Sequence, residues 1–288
     1  LDATYYDMLT KDQITFLPVA TSTGKQTNLV NAGEISNRGV EVLLTAEPVN
    51  TKNFSWTVNL NLGHNRAVVE QLPAGYEERY PIIADVYPGD EGSDDLSLVA
   101  IQGELLGQLE GLGFQRDENG NIIHENGLPL LTEERVTAGS YQPDLRAGIY
   151  NTFRFGNISF GFLFDGQFGG NIYSRTHALM NTGGTITNND DPNLPLSTLD
   201  GRAEYSISYD ANGKPVYDLI DEGGVTGPGV MYDADGNLVP NTVEVPTRDY
   251  FYAYYGKGFN RDNSEAATYD ATYIKLRELR LSWALPQN

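Results

Sequence analysis

The sequence predicts an all-β fold: antiparallel transmembrane β-barrel strands, with long extracellular loops gathered at one end. Three observations carry that expectation. Several segments of about ten residues alternate apolar and polar side chains, the period of a strand whose two faces meet different surroundings. These segments come in pairs joined by short turns, while long polar excursions separate the pairs. The composition, with 18 Tyr and 31 Gly against 3 Met, suits strands better than helices. No apolar run approaches the ~18 residues of a membrane helix, whereas a barrel's alternating signal is weak in each segment.

Taken in order, Leu1 to Thr10 reads as a first strand bearing Tyr5 and Tyr6, and Ile14 to Thr23 continues β-prone towards a turn near Gly24. Gly33 to Asn65 is the clearest stretch, two strands around a turn at Pro48 to Asn53. In the first, Val40, Val42, Leu44 and Ala46 share a face opposite Glu41, Thr45 and Glu47, with Leu43 breaking the polar side. In the second, Phe54, Trp56, Val58, Leu60 and Leu62 oppose Ser55, Thr57, Asn59, Asn61 and Gly63. Phe54 to Gly63 has the length a tilted strand needs to cross a bilayer, and its small uncharged polar face suits a channel lining. Alternation loosens from Val69 to Tyr141. Leu145 to Phe155 and Asn157 to Gln167 then form a second hairpin, with Ile158, Phe160, Phe162 and Phe164 on one face. A polar stretch from Arg175 to Thr268 is far longer than an ordinary connection, which marks a functional or a disordered loop.

A last strand, Tyr273 to Leu285, sets Leu279, Leu281, Trp283 and Leu285 against Arg280, Ser282 and Ala284. The expected organisation is therefore one barrel domain over 1–288, with long loops at about 66–143 and 175–268. The expected lipid-facing residues are Phe54, Trp56, Val58, Leu60, Phe160, Phe162, Leu281 and Trp283. Plain alternation puts Arg280 in the lumen but Lys275 and Arg277 on the apolar side, where a midplane cation costs about 2–4 kcal/mol. Either these two lie beyond the hydrocarbon band or the strand bulges near Glu278. The competing architecture is a soluble or surface-attached β-sandwich that binds glycan, in which the same stripe is core.

Thirty-nine acidic against nineteen basic residues give a net charge of -20, which argues against nucleic acid as a partner, since phosphate binding rests on Lys and Arg. Cysteine is absent, so no disulfide or thiolate site is expected. Enzyme motifs fail in detail. Gly24-Lys25 has Val19 where a P-loop needs its first glycine, and Gly111-Leu112-Gly113 has Arg116 where a dinucleotide fingerprint needs its third. His64, His124 and His177 stand apart, and His124-Glu125 meets Leu128 where a zinc site needs histidine. No catalytic residue, metal or other cofactor is expected. Asp117-Glu118-Asn119-Gly120-Asn121 mimics the start of a calcium loop, but Leu128 occupies the closing position. The tight Asn-Gly hairpin is the favoured reading there, and likewise at Asp210 to Gly213 and Asp233 to Asn237. Gly89 to Asp95 reads as a solvated acidic turn. The run Tyr250-Phe251-Tyr252-Ala253-Tyr254-Tyr255 supplies the candidate substrate-binding residues, Tyr250, Tyr252, Tyr254 and Tyr255, because tyrosine stacks on sugars and peptide side chains at low entropic cost. The favoured reading of the run is nonetheless a loop packing its own aromatics, or an interfacial girdle near a strand end.

Asn31-Ala32-Gly33-Glu34-Ile35-Ser36-Asn37-Arg38-Gly39-Val40-Glu41 resembles a hallmark of the SusC/RagA family of TonB-dependent outer-membrane transporters. Three further stretches agree in the family's order: Gly103 to Gln108; Pro143 to Gly148 with Gly169 to Ser174; and Ala271 to Leu279. The resemblance covers only the later part of such a transporter, which closes about 22 strands around a plug. Consistent with a piece of a longer processed polypeptide, the chain starts at Leu1 rather than Met, and its last strand stops short. The resemblance implies outer-membrane localisation in a Gram-negative, Bacteroidetes-type bacterium and active import of oligosaccharides or peptides without covalent chemistry. It also implies a SusD-like surface lipoprotein as lid and TonB as energy source, reached through the N-terminal part that is not in this chain.

Overall fold

The computed structural model describes residues 1–18, 27–76, 78–83, 96–186, 191, 193–256 and 263–285. The expected turn near Gly24 and the acidic Gly89 to Asp95 segment lie outside the described residues. In chain order the elements are β1 (Asp2–Lys11), the hairpin β2 (Ile14–Pro18) and β3 (Thr27–Asn31), and the long pair β4 (Glu34–Asn50) and β5 (Phe54–Gln71). Short strands follow: β6 (Arg79–Ile83), β7 (Ser97–Ile101), β8 (Gln108–Gly111), β9 (Ile123–Glu125), β10 (Leu128–Pro129) and β11 (Val136–Ser140). The second long pair is β12 (Leu145–Phe155) and β13 (Ile158–Phe168). Next come β14 (Asn171–Tyr173), helix α1 (Arg175–Thr182), the hairpin β15 (Glu204–Tyr209) and β16 (Pro215–Asp221), β17 (Val230–Tyr232) and β18 (Leu238–Pro240). Helix α2 (Thr247–Tyr255), β19 (Thr268–Asp270) and β20 (Tyr273–Trp283) complete the chain.

The long strands form one antiparallel sheet in the order β1-β4-β5-β12-β13-β20. Each neighbour in that sheet is also the next of these strands along the chain, an up-and-down meander. The two tight turns, 51–53 and 156–157, lie at one end, and all three long connections leave from the other. Gly156 holds φ 55°, as a two-residue hairpin turn requires. Its N–H donates to the Asn53 carbonyl at 3.1 Å, tying the two turns together.

Register fixes which side chains share a face. Leu44 lies opposite Leu60, which lies opposite Ile149 and then Phe164 across the next two ladders. One rung series joins Trp56, Phe153, Phe160 and Leu281, another Phe54, Phe155, Ile158 and Trp283. All eight residues expected to face lipid therefore sit on the same face. Their rings touch across strands: Trp56 stacks on Phe153 at 5.8 Å, and Phe153 meets Phe162 at 6.1 Å. Leu281 is 75% and Trp283 67% exposed, and neither buried core cluster of the chain includes any of these residues. A sandwich would cover this face with a second sheet; no second layer packs on it among the described residues.

Three register shifts interrupt the long sheet, one of them at the start of β4 between Glu34 and Ile35. Between Ala46 and Val49 the β4–β5 register shifts, which admits Pro48 within the strand, at the kind of site where a missing N–H is tolerated. In β20, Glu278 lies opposite Leu163 but Leu276 opposite Phe164, so Arg277 is an extra residue. The bulge corrects the face that plain alternation assigns to Lys275 and Arg277. One inserted residue reverses the parity of everything before it, so Lys275 falls opposite Asp165 and Arg277 Nε donates to Asp165 Oδ1 at 3.0 Å.

The two long connections fold rather than trail. Phe114 and Ile122 of the first pack with Leu194, Val225, Tyr250, Tyr254 and Ala266 of the second in one buried core. A smaller cluster of Val69, Leu72 and Ala100 joins the top of β5 to the sheet of β6, β7, β8 and β11. Where β12 begins, β5 loses its neighbour, and the Gln142 amide takes over: it accepts from Ala67 N–H and donates to the Ala67 carbonyl, both at 2.9 Å.

The two-faced sheet predicts asymmetric tolerance to charge. In the full polypeptide folding into lipid vesicles, Val58→Arg should cost about 2–4 kcal/mol by denaturant titration. Thr57→Arg, one residue away on the polar face, should cost less than about 1 kcal/mol; equal costs would refute the assignment of faces.

Candidate functional site

The polar face of the sheet is the first candidate surface. Its rungs carry Ser55, Arg154 and Ser159, then Thr57, Thr152, Gly161 and Arg280, then Asn59, Tyr150 and Glu278. Both signs of charge occur. Thr45 donates to Asn59 across the ladder at 2.9 Å, and within β20 the Lys275 ammonium stands 4.1 Å from the Tyr273 ring centre. Gly148 is glycine for a contact reason: a Cβ there would meet Asn61 Oδ1 at 2.3 Å. Asn61 thus lies flat along the wall. Among the stacked aromatics of the apolar face the polar groups are satisfied, since Trp56 Nε1 donates to Asn151 Oδ1 at 3.0 Å.

The packed loop body is the second. The aromatic run expected in a loop or girdle is helix α2, because residues four apart share one helical stripe. Tyr250 stacks with Tyr254 at 6.0 Å and Phe251 with Tyr255 at 6.2 Å. Tyr250, Tyr254 and Tyr255 are at most 1% exposed. This corrects their expected role: they cannot touch a substrate without opening the core. Their hydroxyls are spoken for. Tyr254 donates to the Asn193 carbonyl, Tyr255 donates to Asp191 Oδ2 at 2.8 Å, and Tyr269 joins the same carboxylate oxygen at 3.0 Å. Burial pushes the Tyr250, Tyr254 and Tyr255 hydroxyls well above the usual tyrosine range, with the Asp191 charge adding to it at Tyr254 and Tyr255.

Only Tyr252 of the four reaches the surface. It lies one turn from Arg248, whose guanidinium is 5.9 Å from its ring centre. Both line an open cleft of about 420 Å³ between α2, the end of α1 and the β15–β16 hairpin, with Arg202, Tyr205 and Leu219 across from them. The spacing of Tyr250/Tyr254 and Phe251/Tyr255 was the available signal for the helix. Nothing in the local sequence signals the cleft, whose walls are distant along the chain.

Two further expectations meet specific geometry. His124, which stands apart from the other histidines in the sequence, is 2% exposed beneath α2. Its Nδ1 faces the Ile122 carbonyl and its Nε2 the Tyr250 hydroxyl, both at 3.2 Å. A carbonyl only accepts, so the proton sits on Nδ1 and Nε2 accepts from Tyr250. Burial lowers the His124 pKa from its ordinary 6.5. In the three acidic turns, Asp117, Asp210 and Asp233 each turn Oδ1 onto the backbone N–H groups two and four residues ahead, at 2.8–2.9 Å. The Asn121 side chain lowers the Asp117 pKa, and the Asn237 N–H that of Asp233. These carboxylates face their own turns.

No protein-family profile matches the chain. It is 29% identical over 189 residues to TonB-dependent receptor P26 of Formosa agariphila, covering 59% of this chain and 18% of that protein. It is 24% identical over 210 residues to TonB-dependent receptor SusC of Bacteroides thetaiotaomicron, covering 67% of this chain and 20% of that protein. The chain thus spans about a fifth of the length of the curated relatives it matches. In fold it matches a structure of the RagAB peptide transporter over 99% of this chain and 27% of that one, at 13% identity and a TM-score of 0.56. The same importer in its "closed-closed" state gives a TM-score of 0.58 at 14% identity.

Two outcomes follow from the loop body. Tyr254→Ala should destabilise it by about 3–5 kcal/mol, seen as early proteolysis of the loops while the strands stay protected. Because folding depresses the His124 pKa, its contribution is complete above pH 6.5 and declines as pH falls from there to the folded value. Thermal melts of the loop body should shift downward over that window, and His124→Gln should remove the shift.

Proposed function

We propose, from the relation of this chain to the TonB-dependent receptors and SusC, that it forms part of the barrel wall and mouth of an active outer-membrane importer. The observation that carries this reading is the six-stranded meander with one apolar face and one polar face. The apolar stripe from Phe54 to Trp283 faces outer-membrane lipid, and the polar face lines the passage. The folded loop body stands at the extracellular end, where the long connections converge.

Import in this reading moves a solute and breaks no covalent bond. The Tyr252 cleft and the polar wall offer tyrosine rings, guanidinium groups and carboxylates within one region. Such a mixture suits oligosaccharides or peptides, the two substrate classes proposed, and the matched RagAB structure is that of a peptide transporter. A SusD-like surface lipoprotein is the proposed partner at the mouth. Coupling to TonB falls to parts of the polypeptide outside these 288 residues.

Purification of the native protein from outer membranes in mild detergent tests the reading directly. A much longer version of this chain, co-eluting with a surface lipoprotein by mass spectrometry, is the expected outcome. Recovery of a 288-residue chain in the aqueous fraction, without a partner, would overturn it in favour of a soluble glycan-binding module.

A further inference from the structure

Outward-facing charge in the long sheet is confined to one end. From the rung of Phe54, Phe155, Ile158 and Trp283 up to that of Tyr5, Val40 and His64, register places no Asp, Glu, Lys or Arg on the apolar face. Phe54 to His64 is ten residue steps, about 33 Å along the strand and about 23 Å of height at a 45° tilt, close to the apolar band of a membrane barrel. The next rung changes character abruptly. Asp7, Arg38 and Arg66 lie side by side there, with Lys11 and Glu34 two rungs above.

Two of these three cations are neutralised. Lys11 Nζ lies 3.0 Å from Glu34, and Arg38 Nε 3.1 Å from Asp7. Arg66 is exposed and forms no ion pair among the described residues, and it stands directly opposite Arg38. Like charges directly opposite across a ladder repel. The Glu70 charge also acts on Arg38 at longer range, but among the described residues no carboxylate forms an ion pair with Arg66; a cation beside a second at the rim of an apolar band offers an anion a seat.

We infer that Arg66, with Arg38, binds the phosphorylated headgroup of a lipid in the leaflet on the loop side of the barrel. This rests on the reading that the apolar face meets lipid. A guanidinium offers paired N–H groups that match phosphate oxygens bidentately, and the Nη atoms of Arg38 remain after Nε is committed to Asp7. His64, one rung below, turns Nδ1 to the Asp144 carbonyl, leaving Nε2 as a further polar contact at the same height. A lipid is favoured over a free anion because the site is continuous with exposed apolar surface: Tyr5 is 67% and Val40 42% exposed directly beneath it. Those side chains offer an acyl chain a seat that inorganic phosphate has no use for.

The test reconstitutes the full polypeptide into phosphatidylcholine nanodiscs doped with phosphatidic acid and counts lipids retained on release by native mass spectrometry. Wild type should retain phosphatidic acid in preference. Arg66→Gln should lower that preference about tenfold, the effect of losing one charge-assisted pair, and Arg66→Lys should restore part of it. Arg146→Gln, at a similar height on the polar face, should leave it unchanged. An inserted, heat-modifiable barrel whose Arg66→Gln form retains phosphatidic acid as wild type does overturns the inference and leaves the membrane reading intact. Loss of retention in excess inorganic phosphate overturns the lipid assignment in favour of a free-anion site. Failure of the wild-type protein to insert at all removes both readings.

Discussion

Backbone hydrogen bonding between neighbouring strands is the constraint on which this structure depends. At membrane depth no water pairs with an exposed N–H or C=O, so each strand must satisfy its groups on the strands beside it. The six long strands do this in a continuous antiparallel ladder. Once the ladder is in place, side chains have only two directions to go, and the chain uses them for two solvents. Along β5 from Phe54 to Leu62 apolar side chains point one way and small or polar ones the other, and the neighbouring strands follow this apart from Leu43, Leu163 and Asn151. The single polar residue among the stacked aromatics, Asn151, is bonded to Trp56.

The ladder also determines where variation is tolerated. Bulges at Ala46–Val49 and at Arg277 bend the pattern without breaking it, and the second brings a cation onto the face that has its carboxylate. The turns at one end are only three and two residues long, while the connections at the other end build a body with its own core. That body is held by aromatic packing around α2 and by ion pairs on buried carboxylates, such as Glu110 with the half-exposed Arg79 at 2.7 Å. Wall and loop body therefore answer to different physics. The wall is set by backbone pairing between strands, the body by burial of its apolar side chains.

Legibility followed the range of the interactions. Strand pairs and faces were readable because period 2 is a local property of the residues, and Phe54 to Gly63 shows it without interruption. The side of Lys275 and Arg277 was not, since a bulge depends on what the partner strand offers, here Asp165. The aromatic run was read as a loop or girdle rather than a helix because tyrosine favours strands and interfaces in general. Only its packing against Phe114, His124 and Asp191, more than fifty residues away, makes it a buried helix.

By itself, then, the sequence determined the long strands, their two-faced character, the asymmetry between short turns and long connections, and the resemblance to SusC-type transporters. Each of these is written in neighbouring residues or in contiguous motifs. The tertiary structure decided which loop residues are core and which are surface. It withdrew Tyr250, Tyr254 and Tyr255 from solvent, left Tyr252 beside a cleft, and set Arg66 opposite Arg38 at the rim of the apolar band. Those outcomes depend on pairing and packing between segments far apart in the chain, and no local pattern of residues encodes them.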